Sequence, residues 1–573
     1  MTPERGQGHL RRNIAGPKMT TDLIITNARV LTMDAANPAA EAVAIAQGRI
    51  AAVGSSVAMA ALATPGCRVI DAGGRTLLPG FVESHLHIGL GGAELAHLQL
   101  GGVQGMDGLR AAFASFAAAN PGKPLLMAQG GHYTMLDHPM TRADLDAIMP
   151  DRPIAITAHD HHTVWANTAA LTAAGILHGM VCPPGHEVVM NADGLATGEL
   201  REFEAFGAVV ALGGEGRLNL GIATGEDPSV PPSVEDRASD RAKIVAGLRH
   251  CAAHGITSMV TMDGNRYTLD LLSEIRDTSD LTARVKVPFH FKPHMGLEAL
   301  DRASAMARDF NDDWLQSGFV KMFMDGVIDS RTANMLNDYP GNPGHRSVPL
   351  FAPDLFKTIA TEIDRRGLQI AVHAIGDGAV RTTIDGYAAA RDANGARDSR
   401  HRIEHIELID QADVPRLGQL GIVASVQPPH APGAMDFGME PSLTNIGAGR
   451  MGDAYLSRSL ARAGVRLAFA SDWPVADVSV LRGVQAAMTR PAYEGGVSEC
   501  LGLLDCLYAY TAGGAFVAHT DHMTGQIVPG LAGDLVLLDG DIQTVAVGDI
   551  GKMGIALTIC GGNITHRGAG FAA

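Results

Sequence analysis

Cysteine is scarce in this chain of 573 residues. The six, Cys67, Cys182, Cys251, Cys500, Cys506 and Cys560, are scattered along its length. None forms a Cys-x-x-Cys pair, which argues against a structural zinc knuckle. So sparse a set does not build a disulfide framework, and the six read as free thiols of a reducing cytoplasm. Charge is also short, at 18% of residues against the usual ~25%. Basic residues number 45 and acidic ones 61, a net charge of −16; a nucleic-acid protein shows the opposite, a basic face. No apolar run reaches the ~18 residues of a membrane span. Residues 1–21 lack the apolar stretch of a signal peptide. They carry Arg5, Arg11, Arg12 and Lys18 and read as a disordered tail, with Met19 an alternative start. No Gly-x-Ser-x-Gly elbow occurs, which disfavours a serine hydrolase. No Gly-x-Gly-x-x-Gly or Walker pattern occurs either, and the Gly89–Gly92 cluster reads as a loop.

Apolar residues make up 46% of the chain, enough for a large core. Length alone suggests several domains of about 150 residues, or one (β/α)₈ barrel with insertions and satellites. Residues 22–80 and 525–573 are both rich in short β-branched runs punctuated by Gly and Asn, the texture of hairpins. They are expected to form one small β-sandwich domain assembled from both termini; two unrelated caps are the alternative.

Residues 81–524 alternate apolar runs with helical patterns, as βαβ units do. Eight strands are expected: 80–87, 257–262, 285–291, 319–324, 369–373, 402–405, 422–427 and 467–471. Eight parallel strands fit a TIM barrel. The long gap after His87 marks a large insertion, about residues 95–240, expected to cover the site. Its Gly/Pro-rich stretch 213–232 reads as a mobile loop or lid.

The strongest chemical signal is Phe81-Val-Glu-Ser-His85-Leu-His87. In a strand, residues i and i+2 share a side, so both imidazoles can aim at one ion from the strand's carboxyl end, where barrel enzymes build their sites. Lys321, His373, His405 and Asp472 lie at or near the ends of later strands. A lysine in an apolar strand is costly unless its charge is removed or paired. Carbamylation by CO₂ is one solution; an ion pair with Asp325 or another carboxylate is the other. Four histidines, a modifiable lysine and an aspartate form an N/O set that suits zinc and related divalent ions.

Together these stretches resemble the amidohydrolase superfamily, and most closely amidohydrolase family 3, which includes N-substituted formamide deformylases. The resemblance rests on Leu78-Pro-Gly-Phe-Val-Glu-Ser-His-Leu-His, on Val320-Lys-Met-Phe-Met-Asp-Gly, on Val372-His-Ala-Ile-Gly-Asp, on Arg402-Ile-Glu-His, on Ser425-Val-Gln-Pro-Pro-His and on Ala470-Ser-Asp-Trp-Pro-Val. It covers nearly everything from residue 22 onward. One departure is Glu83, where many members carry Asp.

The resemblance implies a metal-bearing barrel. One ion would be held by His85, His87, carbamylated Lys321 and Asp472, and a second by Lys321, His373 and His405; a single ion is the alternative. Asp472 would carry the proton, with Lys321 as the other catalytic residue. In the dense run Ala158–Asn167, the resemblance selects His162 as a substrate-side residue. Trp165 belongs to the same stretch, and a second metal site there is a further option. Arg331 and His430 sit beside strand ends and are also candidates for substrate contact.

The expected activity is hydrolysis of an amide or related C–N bond of a small molecule, of N-acyl or N-formyl type, by a metal-activated hydroxide. Decarboxylation or isomerisation on the same metals, and a non-catalytic binding or regulatory role, are the competing readings. A homodimer is a family-level expectation. Neither nucleic acid nor membrane is expected as a partner.

Overall fold

The computed structural model describes residues 20–571, apart from Pro184, Glu215 and Asp436. Most of the expected N-terminal tail, residues 1–19, lies outside the described residues. Thr21 is already buried, and its hydroxyl bonds the Leu62 carbonyl.

The fold is α/β and TIM-barrel-like. Its central strands are β1 (Phe81–Leu86), β2 (Ile256–Thr261), β3 (Arg284–Lys286), β4 (Phe289–His290), β5 (Phe319–Phe323), β6 (Gln369–Ala374), β7 (Arg402–His405), β8 (Val423–Val426) and β9 (Leu467–Phe469). Every pairing among them is parallel: β1–β2–β3 in one run and β4–β5–β6–β7–β8–β9 in another. The strand expected over 285–291 is therefore broken into β3 and β4. Pro288 explains the break, since it lacks the N–H that a central strand needs.

The last strand returns to the first. Ser84 Oγ donates to the Phe469 carbonyl (2.8 Å), Asp472 N to the His85 carbonyl (2.9 Å) and His87 N to the Trp473 carbonyl (2.8 Å). Every residue of β1, β2, β6, β7 and β8 is buried, as parallel strands covered on both faces require.

The two ends of the chain share a sheet: Thr76–Pro79 pairs antiparallel with Leu535–Leu538. A second sheet holds Leu23–Thr26, Ala42–Ala46, Arg49–Gly54 and Arg68–Asp71. One apolar cluster draws on both, including Ile25 and Val43 from one and Leu77 and Leu537 from the other. A buried ion pair ties this region to the barrel strands: Arg284 Nε donates to Asp534 Oδ2 at 2.8 Å.

After β1 the chain builds a separate six-stranded sheet between residues 98 and 201. It rejoins the barrel through a helix over Val234–Ala253, opened by Ser233, whose Oγ accepts from Asp236 N (3.0 Å). That helix runs across residue 240. The Gly/Pro-rich stretch 213–232 is not all loop. It contains α2 (Gly216–Thr224), fixed by Arg217 on buried Asp240 at 2.8 Å.

The Gly89–Gly92 cluster is likewise helical, within α1 (Ile88–Glu94). Its glycines serve close approach rather than turning. A Cβ on Gly91 would lie 2.5 Å from the Trp473 ring, and one on Gly92 2.3 Å from the Lys243 carbonyl oxygen. Among the described residues, no helix is long and apolar enough to cross a membrane, and all six cysteines are free.

Candidate metal centre

His85, His87, Lys321, His373, His405 and Asp472 come from β1, β5, β6, β7 and the segment after β9. All six line one cavity of ≈70 Å³ at the carboxyl end of these strands. Two backbone turns help to aim them: His405 (φ 76°) and Asp472 (φ 60°) are left-handed, a costly conformation for non-glycine residues that concentrates at functional sites. His85 Nε2 lies 3.1 Å, and His87 Nε2 3.2 Å, from Asp472 Oδ1. His405 Nδ1 is 3.9 Å from Asp472 Oδ2. The rings of His373 and His405 are 4.5 Å apart.

Hydrogen bonds select the tautomers. His85 Nδ1 sits 2.6 Å from Glu404 Oε2. Glu404 is itself gripped by Arg402, whose Nη2 also donates to the Ser84 carbonyl (2.7 Å) and Ser425 Oγ (2.6 Å). Burial alone would raise the Glu404 carboxyl, yet Arg402 and then His85 hold it far below the ordinary range. A firmly ionised Glu404 accepts the Nδ1 proton of His85, which turns Nε2 towards the cavity. His373 Nε2 similarly donates to the Gly326 carbonyl (3.0 Å), which leaves its Nδ1 as the acceptor. Burial drives both His373 and His405 well below the usual imidazole range, so both are neutral.

His85 Nε2 points at a carboxylate oxygen, and His405 Nδ1, Asp472 Oδ1 and Lys321 Nζ are buried without a hydrogen-bond partner. Ligand atoms of His85, His87 and Asp472 lie within 4.8 Å of one another, close enough to share one cation. The donor types, imidazole and carboxylate, are those that zinc and related divalent ions take, so the residues fit the implied metal.

Lys321 is 1% exposed. Burial pushes its ammonium down to about 8, with Glu404 and Asp472 opposing. It is not paired with Asp325, the alternative that the sequence left open. The Asp325 carboxylate accepts backbone N–H from Asn334 (2.8 Å), Gly376 (2.9 Å) and Ile375 (3.1 Å).

Of the expected substrate-side residues, His162 and His430 line the cavity. His162 Nδ1 lies 2.7 Å from Glu202 Oε2. Despite burial, Glu202 raises the imidazole to about 9. His430 Nε2 is 3.2 Å from the Ser471 carbonyl, and with His405 and Glu407 it makes a second group within ligand reach of one point.

Trp165 and Arg331 do not line this cavity. Trp165 points to the same side of its strand as Thr163. It packs into the core of the insertion against Tyr133, ring centres 5.2 Å apart. Arg331, turned by a left-handed backbone (φ 61°), gives its Nε to Asn445 Oδ1 (2.8 Å) and lines a neighbouring open cleft. A second metal site in the run 158–167 is also set aside. His161 and His162 pair with Glu94 and Glu202, and His159 lies nearest Asp329, so the three do not converge on one point among the described residues.

Sequence reasoning missed Glu404, Arg402 and Glu407. The first two stood in the quoted Arg402-Ile-Glu-His run, where i and i+2 alternation puts both side chains on one face. Glu83, the departure from the usual Asp, is fully buried and outside the cavity, accepting Ser471 N at 2.8 Å. It thereby braces the turn that presents Asp472.

Comparison with known proteins shows the family and the fold. A family model described as the amidohydrolase family matches residues 68–566. Protein LONG AFTER FAR-RED 3 of Arabidopsis thaliana is 29% identical over 537 residues, covering 91% of this chain and 87% of its own. N-substituted formamide deformylase of Arthrobacter pascens is 25% identical over 569 residues, covering 96% and 99%. The crystal structure of an uncharacterized metal-dependent hydrolase from Pyrococcus horikoshii superposes with a TM-score of 0.70 at 23% identity. It covers 92% of this chain and 99% of that one, so the fold is shared.

Proposed function

The chain belongs to the amidohydrolase family, and from that premise we propose that it hydrolyses an amide or related C–N bond of a small molecule, of N-acyl or N-formyl type. The observation that carries the reading is the convergence of His85 Nε2 and His87 Nε2 on Asp472 Oδ1 at 3.1 and 3.2 Å. In this reading the nine strand segments act as a closed (β/α)₈ barrel, the insertion covers its mouth, and the terminal sheets form a β-sandwich.

His85, His87 and Asp472 would hold one divalent ion, zinc or a relative, and His373 and His405 a second, with Lys321 between. Such an ion, when bound, lowers the pKa of water towards ~7 and polarises a carbonyl. Lys321 is proposed to be carbamylated: its neutral amine adds to CO₂, loses a proton and becomes an anionic carbamate. That conversion gives the buried, partnerless Nζ a reason to be where it is. Asp472 would take the proton from the attacking water as the carbon–oxygen bond forms and then deliver it to the leaving nitrogen, so that the acyl–nitrogen bond breaks as the carbonyl is restored. His162, held by Glu202, faces the substrate and supplies a hydrogen bond to it. Glu404 and Arg402 keep His85 in one tautomer.

The test is a screen of N-acyl, N-formyl and cyclic amides with metal-loaded protein in water enriched in heavy oxygen. Hydrolysis places solvent oxygen in the acid product. Turnover without solvent oxygen would instead indicate decarboxylation or isomerisation.

A further inference from the structure

Beside the metal cavity lies a second, larger chamber of ≈340 Å³, against ≈70 Å³ for the cavity itself. The two meet at His162, Phe203 and Phe323, which line both. On its other side the chamber continues past His186, Thr332, Ser347 and Val348 into the open cleft of ≈800 Å³ that also holds Arg331. The chamber therefore lies between the open cleft and the metal cavity.

The chamber's chemistry is decided by which of its groups are already engaged. Asp325 is saturated by three backbone N–H groups. Glu202 is held by His162 (2.7 Å) and Thr332 Oγ1 (2.9 Å). His186 Nδ1 accepts Glu204 N at 3.2 Å. The Lys292 ammonium bonds the Ile222 carbonyl and lies 5.0 Å from the centre of the Phe323 ring. The walls left to a ligand are mainly apolar: Phe203, Phe291, Phe323, Phe351 and Leu350. Phe291 and Phe351 stand 6.3 Å apart as a tilted pair. A slot of apolar rings selects a bulky, apolar group, and aromatic groups gain further from edge and offset contacts; Glu204 and His294 line the same chamber.

We propose that this chamber seats the larger portion of the substrate, that this portion is apolar and aromatic, and that the metal cavity admits only the scissile group and a small remainder. The proposal rests on the hydrolytic reading of the metal centre and extends it to the substrate's shape. It gives the insertion a second duty, since Phe203 comes from it and Ala223 of α2 lines the same chamber.

The experiment compares metal-loaded wild type, Ala223→Trp, which fills the chamber, and Leu350→Ala, which widens it. The substrates are N-acetyl-2-phenylethylamine, N-methylphenylacetamide and N-methylacetamide. Binding of 2-phenylethanol, which has no amide, is followed by saturation-transfer NMR. Wild type should turn over one of the two phenyl amides with kcat/KM about 10- to 100-fold above N-methylacetamide, the range expected for burying one large apolar group. Ala223→Trp should erase that advantage while leaving metal content in place. Leu350→Ala should keep turnover and shift preference towards larger rings. Equal rates on large and small amides, or an advantage that survives Ala223→Trp, would overturn the proposal. Should no amide turn over, the hydrolytic reading fails by itself. 2-Phenylethanol binding to wild type but not to Ala223→Trp would still support the aromatic chamber, and its absence would overturn it.

Discussion

Replacing Glu404 by Gln removes the charge that fixes His85 while keeping side-chain shape. In the folded protein the carboxylate bridges two buried groups, His85 Nδ1 at 2.6 Å and the Arg402 guanidinium, with Nη2 at 2.8 Å. The first consequence falls on the metal. A Gln amide can present either its oxygen or its NH₂ to Nδ1, so the His85 tautomer is no longer fixed, and the basicity lent by a carboxylate is lost. Removing such a partner typically costs about 10- to 100-fold in metal affinity, roughly 1.4–2.7 kcal/mol. The second consequence falls on stability. Arg402 is completely buried, and without its anion it keeps only neutral partners, the Ser84 carbonyl and Ser425 Oγ. Breaking one side of a buried ion pair costs about 3–5 kcal/mol. Competition titration with a chelator measures the first effect, and denaturant unfolding of the metal-free protein the second. Pairing Glu404→Gln with Arg402→Met should recover much of the stability and none of the affinity. A Glu404→Gln protein that binds metal as tightly as wild type would refute the role given to Glu404.

Three other predictions follow from the same geometry. Intact mass of the native protein should show one added CO₂, absent from Lys321→Ala, which should also lose metal; short carboxylic acids should restore part of its activity. An unmodified Lys321 beside a full complement of metal would refute carbamylation. His162→Ala should retain its metal while kcat/KM falls about 10-fold, some 1.4 kcal/mol of transition-state stabilisation; loss of metal instead would make His162 a ligand. Asp364 is depressed to about 2: burial opposes the shift, and His401, Asn394 and Arg397 outweigh it. Its contribution is whole above the unfolded carboxylate value of about 4 and is lost as pH falls through 2. Asp364→Asn should therefore flatten that part of the acid unfolding curve, and an unchanged acid limb would contradict the assignment.

The sequence disclosed the candidate ligands because their chemistry is local: each stands at or near the end of an apolar run, and His85 and His87 share a side by simple alternation. Residues whose meaning depends on a distant partner stayed hidden. Glu404 was in plain view, but its role is set by His85, over 300 residues away in the chain. Trp165 and Arg331 lie outside the metal cavity because neighbourhood in sequence does not fix direction. One strand turns the indole into the insertion's core, and a left-handed backbone sends the guanidinium to another cleft. Glycine misled twice, at 89–92 and at 216–221, since counting it as a breaker ignores its use in close packing. At Gly221 a Cβ would lie 1.8 Å from the Gly264 carbonyl oxygen. Pro288 could have predicted the divided strand, had its missing N–H been weighed against the apolar run around it.

The central claim is that His85, His87 and Asp472 converge on a divalent cation. Metal content per chain, measured by elemental mass spectrometry on wild type and His87→Ala purified side by side, tests it most directly. The account predicts at least one equivalent of zinc or a related divalent ion in wild type and a clear loss in the variant. A wild-type protein free of metal after exposure to these ions, or a His87→Ala protein that retains the full complement, would contradict it.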